Sequence, residues 1–313
     1  MSTDRRGARK PVIAVLGGTG QQGGSVVNAL LDNGEFAVRV ATRNRTGDSA
    51  KALAARGVDV VEADLLDPRS LQTAFDGAYG AFVVTNFWDP QQMSREVELA
   101  TAAARTARAA GVDHLVWSTL PDVEKCTGGR LKVPHFSDKA RVDAAVAAAG
   151  FLRHTFVQAP FYYQNLLGPL KPQALYDGHL GWAVAMDPAA RVIDAADVAD
   201  VGRTVAAAFG ARDKLANGSY LAVSGGVYSW NDFASALNAL GHDLHVHRVS
   251  PDAFDADFLG AREAREMFEY CEAFTYFGPE REKHISATSA LIPQRFIGFD
   301  EWARRNMMPR AAP

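Results

Sequence analysis

The chain has 313 residues, 48% of them hydrophobic, which is enough to bury a large core and a smaller lobe beside it. Its 33 basic and 36 acidic residues give a formal charge of -3, so no excess of positive charge supports direct nucleic-acid binding. The two cysteines, Cys126 and Cys271, lack the spacing of a disulfide framework or a zinc site, and no metal is expected. The first residues are polar and no apolar run approaches the ~18 residues of a membrane span, which predicts a cytoplasmic protein without membrane contact.

Short β-branched runs alternate with Ala- and Leu-rich stretches of helical spacing between residues 11 and 158. This alternation predicts βαβ units in an α/β fold with a doubly wound parallel sheet. The predicted strands lie near residues 11–16, 36–42, 58–63, 79–85, 112–118 and 152–158. Most of the helical stretches between them close on Gly, which readily adopts the left-handed conformation found at helix C-termini.

The alternation stops after residue 158, where the chain becomes rich in aromatic residues, Gly and Pro. Residues 192–224 carry helix-like and strand-like patterns that we expect to return to the sheet. Residues 159–191 and 225–313 suit a smaller C-terminal α+β lobe. With residues 1–10 predicted as a flexible tail, the main domain comprises 11–158.

The segment "VLGGTGQQGG" places Gly17, Gly20 and Gly23 between the first strand and the first helix. In this position glycines permit a tight turn, a close approach of the backbone to a pyrophosphate and close packing of the helix on the sheet. The helix N-terminus adds unpaired N–H groups and a partial positive charge. The sequence therefore predicts a dinucleotide-binding (Rossmann) fold, in which these residues contact the pyrophosphate: Gly17, Thr19, Gly20, Gln21, Gln22 and Gly23.

The end of the second strand distinguishes the two nicotinamide cofactors. NAD-binding chains place an Asp or Glu about 20 residues after the glycines, on the adenosine ribose. Here the strand ends in Thr42, Arg43, Asn44 and Arg45, and a guanidinium can form a fork with a 2′-phosphate. NADP(H) is therefore the predicted cofactor, with Arg43 and Asn44 as contacts; the alternative is that the arginines are solvated loop charges. Asp64 and Leu65, after the third strand, are expected beside the adenine.

Several segments together resemble the NmrA-like group of atypical short-chain dehydrogenases, which includes nitrogen-repression regulators and NADPH-sensing proteins. They are "VLGGTGQQGGSVVNALL", "VRVATRN", "VVTNFWD", "GRLKVPHFSDKARVDAAV", "APFYYQNLL" and "FLGAREAREMFEYCEAF". The resemblance implies a dinucleotide-binding fold with a small C-terminal lobe and a preference for NADP(H). It also implies cofactor contacts from Thr85, Asn86 and Phe87.

The candidate catalytic residues follow from the Y-x-x-x-K pair of short-chain dehydrogenases. Here the spacing is kept as His135-x-x-x-Lys139 but the tyrosine is replaced, and Ser118 ends the fifth strand where the serine of that family is found. The i, i+4 spacing puts both side chains on one helix face. His135 is a candidate general acid and Lys139 a candidate contact to the nicotinamide ribose. The alternative is that His135 only caps the helix or lines the cleft.

The segment "FYYQN" follows the sixth strand, at the sheet edge where ligands of open α/β folds bind. Tyr162 and Asn165 are predicted cofactor contacts, and Tyr162 or Tyr163 is an alternative source of the missing hydroxyl. In the other interpretation, these aromatic residues form core between the lobes and one wall of the pocket.

Two further features have candidate chemistry. Cys126 is a candidate redox-sensitive thiol, although no resolving cysteine lies near it in sequence. In "HDLHVH", the alternation places His245 and His247 on one face of a strand, where they are a candidate pair of metal ligands. Because no cysteine or clear carboxylate partner lies nearby in the sequence, the pattern favours a solvated strand edge instead.

Two classes of function remain open at this stage. As an enzyme, the protein would use NADPH to reduce a small carbonyl, imine or conjugated substrate, with His135 protonating the product. As a non-catalytic sensor of the NADPH/NADP⁺ ratio, it would regulate a protein partner through loops that the cofactor orders. The sequence leaves the oligomeric state open, with a homodimer as one alternative.

Overall fold

The computed structural model describes residues 9–92, 94–211, 214–258 and 260–308. The predicted tail of residues 1–10 lies outside the described residues except for Arg9 and Lys10. Within the described ranges, no helix is both long enough and apolar enough to cross a membrane.

The strands are β1 (Val12–Leu16), β2 (Ala37–Thr42), β3 (Asp59–Glu62), β4 (Gly80–Val83), β5 (His114–Thr119), β6 (Arg153–Gln158), β7 (Phe161–Tyr162), β8 (Gln173–Ala174), β9 (Leu180–Val184), β10 (Ile193–Ala196), β11 (Ser219–Ala222), β12 (Gly226–Tyr228) and β13 (Leu244–Arg248). The helices are α1 (Gln21–Asn33), α2 (Asp48–Ala55), α3 (Pro68–Phe75), α4 (Glu96–Ala109), α5 (Val123–Cys126), α6 (Pro134–Ala148), α7 (Val198–Gly210), α8 (Trp230–Asn238), α9 (Pro251–Asp255), α10 (Ala261–Phe274), α11 (Arg281–Leu291) and α12 (Phe299–Asn306). A 3₁₀ helix covers Tyr163–Leu167.

Seven strands form one parallel sheet in the order β11-β6-β5-β4-β1-β2-β3. The predicted doubly wound α/β fold is confirmed. Each of the six predicted strands is present, with its ends within two residues of the prediction. The buried runs of the central strands explain this agreement, because a parallel sheet covered on both faces requires near-continuous apolar sequence.

The C-terminal lobe adds two small sheets, in the orders β12-β10-β7 and β13-β9-β8. Of the segment 192–224, β11 pairs with β6 in the large sheet and α7 packs against α1. The strand β10 instead pairs with β7 and β12. The segment therefore connects the large sheet with the lobe.

Buried side chains form three clusters. Alternate residues of β1 point to opposite faces of the large sheet: Ile13 and Val15 pack with α1 and α7, whereas Ala14 and Leu16 pack with α3 and α4. The third cluster joins the C-terminal lobe to residues 120–136 and includes aromatic residues such as Tyr163 and Trp302. Shared apolar packing therefore holds the lobe against the chain that follows β5.

One buried ion pair ties β10 to α11. The Arg281 guanidinium donates from Nη2 to Oδ1 of Asp194 (2.7 Å) and from Nε to Oδ2 (2.8 Å), and the Asp194 side chain is fully buried. Ser224 Oγ also donates to Asp194 Oδ1 at 2.8 Å. Removing the arginine would leave a buried carboxylate without its counter-ion, which is costly in a low-dielectric interior.

We expect Arg281→Met to lower the free energy of unfolding by about 3–5 kcal/mol, because it leaves Asp194 buried without a positive partner. Urea denaturation followed by circular dichroism measures the loss. The matched control is Lys283→Met on the same helix, whose pair with Glu280 is exposed and should contribute about 0–1 kcal/mol. Equal losses in the two variants would contradict the role of the buried pair.

Candidate functional site

A cavity of about 950 Å³ lies at the carboxyl ends of the large sheet, next to the C-terminal lobe. The strand order reverses between β1 and β4, and ligands of open α/β sheets bind at such a switch point. The predicted cofactor contacts and the catalytic candidates Ser118, His135 and Lys139 all line this cavity, whereas Tyr163, Cys126, His245 and His247 do not. The predicted residues that line it are Gly17, Thr19, Gly20, Gln21, Gln22, Gly23, Arg43, Asn44, Asp64, Leu65, Thr85, Asn86, Phe87, Ser118, His135, Lys139, Tyr162 and Asn165.

The glycine turn after β1 brings the N-terminus of α1 to the cavity. Gly17 has a φ of +67°, a left-handed conformation that glycine adopts without steric cost. A Cβ atom on Gly23 would lie 2.2 Å from the Gly17 carbonyl oxygen, so only glycine permits this close approach of helix and turn. The N-cap, Gly20, has no side chain to bond the first N–H groups of α1. These groups and the helix dipole suit an anionic pyrophosphate.

Arg43 lies at the end of β2, on the cavity wall. Its guanidinium Nη1 donates to Oδ2 of Asp89 at 3.1 Å, and about half of its side chain is exposed. A phosphate at this position would therefore compete with the Asp89 carboxylate for the same group. Arg45 is exposed and does not line the cavity.

Asn44 and Asp64 form turns after β2 and β3, at the cavity edge of the large sheet. Asn44 Oδ1 accepts from the backbone N–H of Thr46 at 3.0 Å, and Asp64 Oδ1 accepts from that of Leu66 at 3.0 Å. Such Asx turns fix the backbone two residues ahead of the side chain. Both residues therefore hold the cavity rim in place as well as lining it.

Lys139 belongs to a buried polar cluster that the sequence prediction did not contain in full. Its Nζ donates to Thr85 Oγ1 at 3.0 Å and to the Thr85 carbonyl at 3.2 Å, and it forms an ion pair with Glu96. The Thr85 hydroxyl donates to the same Glu96 oxygen. The second carboxylate oxygen of Glu96 is buried without a partner among the described residues, so a donor from a bound ligand or water would satisfy it.

His135 lies at the start of α6 and contacts Glu263 of α10 in the C-terminal lobe. Its Nδ1 is hydrogen-bonded to Glu263, and its backbone N–H donates to the same oxygen at 3.0 Å. Burial raises the pKa of Glu263, but the hydrogen bonds from His135 outweigh it and lower the pKa below its usual range. The rings of Phe87, Trp88 and Phe136 surround the imidazole at centroid distances of 4.8–5.9 Å. Glu263 thus occupies Nδ1 and leaves Nε2 for the cavity.

Glu263 is one of three glutamates on one face of α10. Each of the three contacts a residue just before or at the start of α6. Glu266 accepts from the backbone N–H of Lys132 at 2.6 Å, and Glu269 pairs with Arg130. The spacing of three residues puts the three carboxylates on adjacent turns of the helix. This row of contacts, the glutamate face of α10, closes the lobe onto the cavity.

Ser118, in β5 of the large sheet, and Tyr162, in β7 of a small sheet, both line the cavity. Ser118 is almost fully buried, and the Tyr162 hydroxyl accepts from Gln22 Nε2 at 2.5 Å. Burial raises the pKa of Tyr162 well above its ordinary value. Tyr163 instead packs in the lobe core and donates to the Ile297 carbonyl at 3.3 Å. Of the two tyrosines, only Tyr162 is placed to contact a ligand.

The lobe side of the cavity is apolar. Leu170, Phe258, Met267 and Tyr276 line it, opposite Trp88, whose side chain is more than half exposed. The sequence prediction assigned no role to these residues, although Trp88 lies within "VVTNFWD", and Phe258 and Met267 lie within "FLGAREAREMFEYCEAF". Their spacing within the lobe follows no motif, and only the fold brings them together.

The two cysteines contribute no reactive thiol to this site. Neither lines the cavity, and burial raises the pKa of both the Cys126 and Cys271 thiols. A raised pKa keeps a thiol protonated and weakly nucleophilic at neutral pH. The hypothesis of a redox-sensitive Cys126 gains no support from this environment.

Comparison with known proteins identifies the family. Residues 9–303 match the sequence model of the NmrA-like family. The chain belongs to the NmrA-like family. The chain is 40% identical over 161 residues to the NmrA-like family domain-containing oxidoreductase himF of Aspergillus japonicus, a match that covers 50% of this chain and 49% of the relative. The chain thus spans about half the length of the curated relatives it matches.

Solved structures support the same NmrA-like fold. The negative transcriptional regulator NmrA superposes with a TM-score of 0.78 at 24% identity, over 96% of both chains. A second structure of NmrA, with a TM-score of 0.76 at 24% identity over the same shares, is a complex with NADP. The triphenylmethane reductase of Citrobacter sp., complexed with NADP(H), superposes with a TM-score of 0.72 at 17% identity, over 95% of this chain and 100% of the reductase.

One turn beyond Lys139, α6 carries the buried carboxyl Asp143. Its Oδ2 accepts from the Tyr220 hydroxyl at 2.9 Å, and its Oδ1 has no partner among the described residues. Burial outweighs the hydrogen bonds from Tyr220 and its neighbours and raises the pKa of Asp143 to about 7. The folded protein therefore retains a proton that the unfolded chain loses near pH 4.

We expect the free energy of unfolding to fall as the pH rises from about 4 to about 7, because the unfolded chain loses the proton first. This contribution is fully present below the unfolded pKa and is lost as the pH rises through the folded pKa. Asp143→Asn should flatten this part of the stability profile, measured by urea denaturation at several pH values. The exposed Asp252→Asn is the control; a profile unchanged in Asp143→Asn would contradict the assignment.

Proposed function

We propose that this NmrA-like protein binds NADP(H) in the cavity and is an NADPH-dependent reductase of a small carbonyl, imine or conjugated substrate. The support is the combination of a helix N-terminus suited to a pyrophosphate, an arginine at the end of β2 and an oriented histidine opposite an apolar wall. The names of himF as an oxidoreductase and of the Citrobacter protein as a reductase favour this reaction class. The solved complexes of NmrA with NADP and with NAD, and of the Citrobacter reductase with NADP(H), favour a nicotinamide cofactor.

The residues present fit the cofactor. The turn at Gly17 and Gly23 and the first N–H groups of α1 would hold the pyrophosphate, and Arg43 the 2′-phosphate. Lys139, which lines the cavity, would contact ribose hydroxyls, which can accept from an ammonium, and Glu96 would hold the Lys139 side chain in place. When bound, the nicotinamide supplies a hydride.

The observation that carries the catalytic proposal is the pairing of His135 with Glu263. A carboxylate bonded to Nδ1 fixes the orientation of an imidazole and favours the tautomer with a proton on Nδ1. As an imidazolium, the His135 ring would donate its Nε2 proton to a developing negative charge in the cavity. Because the side chains of both residues are mostly buried, their mutual attraction is screened less than that of a surface pair.

The apolar wall indicates the substrate class. Phe87, Trp88, Met267 and Tyr276 offer aromatic and polarisable surface next to the imidazole. Flat conjugated molecules gain most from such a wall, through burial of apolar area and offset stacking. A carbonyl or imine on such a molecule would place its heteroatom towards His135.

A non-catalytic NADPH/NADP⁺ sensor that acts through a protein partner is the second candidate. The tyrosine of Y-x-x-x-K is absent at position 135, and NmrA, the regulator, has a similar fold. In a sensor, NADPH and NADP⁺ must favour different conformations of the protein. A ligand that binds two conformations equally well does not change their relative populations. Hydrogen exchange of residues 120–134 and 159–182 with NADPH and with NADP⁺ separates the two candidates.

Turnover of NADPH tests the catalytic role of His135. We expect oxidation of NADPH, followed by its absorbance, with aromatic aldehydes, quinones or imines as substrates. His135→Phe should reduce kcat by about 10²–10⁴ while leaving NADPH affinity nearly unchanged, because only proton donation is lost. His154→Phe, outside the cavity, is the matched control.

The outcomes distinguish the candidates. A His135→Phe variant within a few-fold of wild type would show that His135 is not the acid. No turnover with any substrate, combined with hydrogen exchange that differs between NADPH and NADP⁺, would favour the sensor.

Cofactor preference tests the role of Arg43. We expect the protein to bind NADP(H) more tightly than NAD(H), and Arg43→Ala to lose about tenfold to a hundredfold of that preference, since a charge-assisted bond contributes about 1.5–3 kcal/mol. Asp89→Asn should strengthen NADP(H) binding, because it removes the negative charge that competes with the phosphate for Arg43. Fluorescence titration measures the affinities, and Arg45→Ala is the matched control. Equal wild-type affinity for both cofactors would refute the proposal.

A further inference from the structure

A cluster of histidine and aspartate side chains lies on the small sheet of the C-terminal lobe, apart from the cavity. His179 precedes β9, Asp243 precedes β13, and His245 is the second residue of β13. One donor atom of each residue lies within 4.8 Å of the donor atoms of the other two. Oδ1 of Asp243 is 3.3 Å from Nε2 of His245. The three side chains thus converge although 64 residues of sequence separate His179 from Asp243.

The backbone beneath this cluster is held at a close distance. β9 and β13 pair in parallel with Gly181 opposite His245, and a Cβ on Gly181 would lie 1.8 Å from the His245 carbonyl oxygen. Only glycine permits this approach. The turn that carries His179 is fixed in addition by Asp177, whose Oδ1 accepts from the His179 backbone N–H at 3.1 Å. The position of the backbone that carries His179 and His245 is therefore set by contacts that do not use the donor atoms.

A second carboxylate–histidine contact lies beside the first. Oδ2 of Asp177 is 3.1 Å from Nε2 of His247, which lies two residues after His245 on the same strand. The structure thus supplies carboxylate partners for both histidines of the strand, which the sequence alone had not revealed. Asp177 therefore holds the turn before β9 and orients His247, which is the neighbour of the cluster on β13.

We propose that His179, Asp243 and His245 form a binding site for a borderline divalent transition-metal ion such as Zn²⁺. Two imidazole nitrogens and one carboxylate oxygen are a donor set that zinc accepts at distances of about 2.0–2.2 Å, with water as a fourth ligand. Hard ions such as Mg²⁺ and Ca²⁺ prefer oxygen ligands alone, so this set discriminates against them.

Binding requires a limited rearrangement of the side chains. The rings of His179 and His245 stack with centroids 4.0 Å apart and planes inclined by 26°, so one ring must turn for both nitrogens to point at one ion. His179 and Asp243 are exposed and free to rotate, whereas His245 is half-buried on its strand. The ion would replace the ring stack as the link between the β8–β9 turn and β13.

The position of the site gives the ion a structural consequence. The chain that leads into β8 includes Pro169 and Leu170, which line the cavity, and Trp182 Nε1 donates to the Leu170 carbonyl at 2.8 Å. Fixing the turn at residue 179 to β13 would therefore stiffen the hairpin behind this part of the cavity wall. The site itself does not depend on the proposed reductase activity.

The test is titration of the untagged, chelator-treated full chain with ZnCl₂ by isothermal calorimetry. We expect one ion per chain, and a loss of affinity of at least about tenfold in His179→Ala and in His245→Ala, since each removes a direct ligand. Affinity should fall below about pH 6.5, where free imidazole is protonated and cannot bind a metal. Titration with Co²⁺ should give visible absorption bands that both variants lose.

His242→Ala is the matched control, because His242 lies in the same turn but bonds the Met307 carbonyl at 2.7 Å. It should keep the affinity of the wild type, and circular dichroism verifies that all variants are folded. The proposal is overturned if Zn²⁺ does not bind, if the double variant His179→Ala/His245→Ala binds it as the wild type does, or if His242→Ala loses as much affinity as the ligand variants.

Discussion

The glutamate face of α10 is the contact on which the shape of the site depends. Three carboxylates on one side of a lobe helix hold the backbone or side chains of residues 130–135, which lead into α6. Without these contacts the backbone N–H groups of Lys132 and His135 would lose their partners, because Val133 offers no side-chain cap at the start of α6. The helix α10 of the lobe thus caps the start of α6, and it also forms one side of the cavity.

The contact also gives the two basic side chains on this face of α6 separate partners. Here Lys139 is engaged by Glu96 and Thr85, and the group at position 135 takes its partner from the lobe instead. Two basic side chains on one face of α6, His135 and Lys139, are therefore each paired with a glutamate from a different helix.

Much of this architecture was predictable from the sequence, because the signals that determine it lie within short stretches of the chain. Strand periodicity and the glycine turn act over a few residues, so the large sheet and the cavity-lining residues from Gly17 to Asn165 could be read directly. The partners of these residues could not. Glu263 lies 128 residues from His135, and Glu96 lies 43 residues from Lys139, with no periodic pattern to connect them. Tyr163 was indistinguishable from Tyr162 until the fold showed which of them enters the core.

Glu263 shares α10 with two residues of the apolar wall, Ala264 and Met267. The side chains that line this part of the cavity and the carboxylate that is bonded to His135 are thus carried by one helix. A substitution that shifts this helix to admit a bulkier molecule would displace the carboxylate as well. The size of the cavity and the orientation of His135 are therefore coupled: lining residues can change in size independently only where the axis of α10 stays in place.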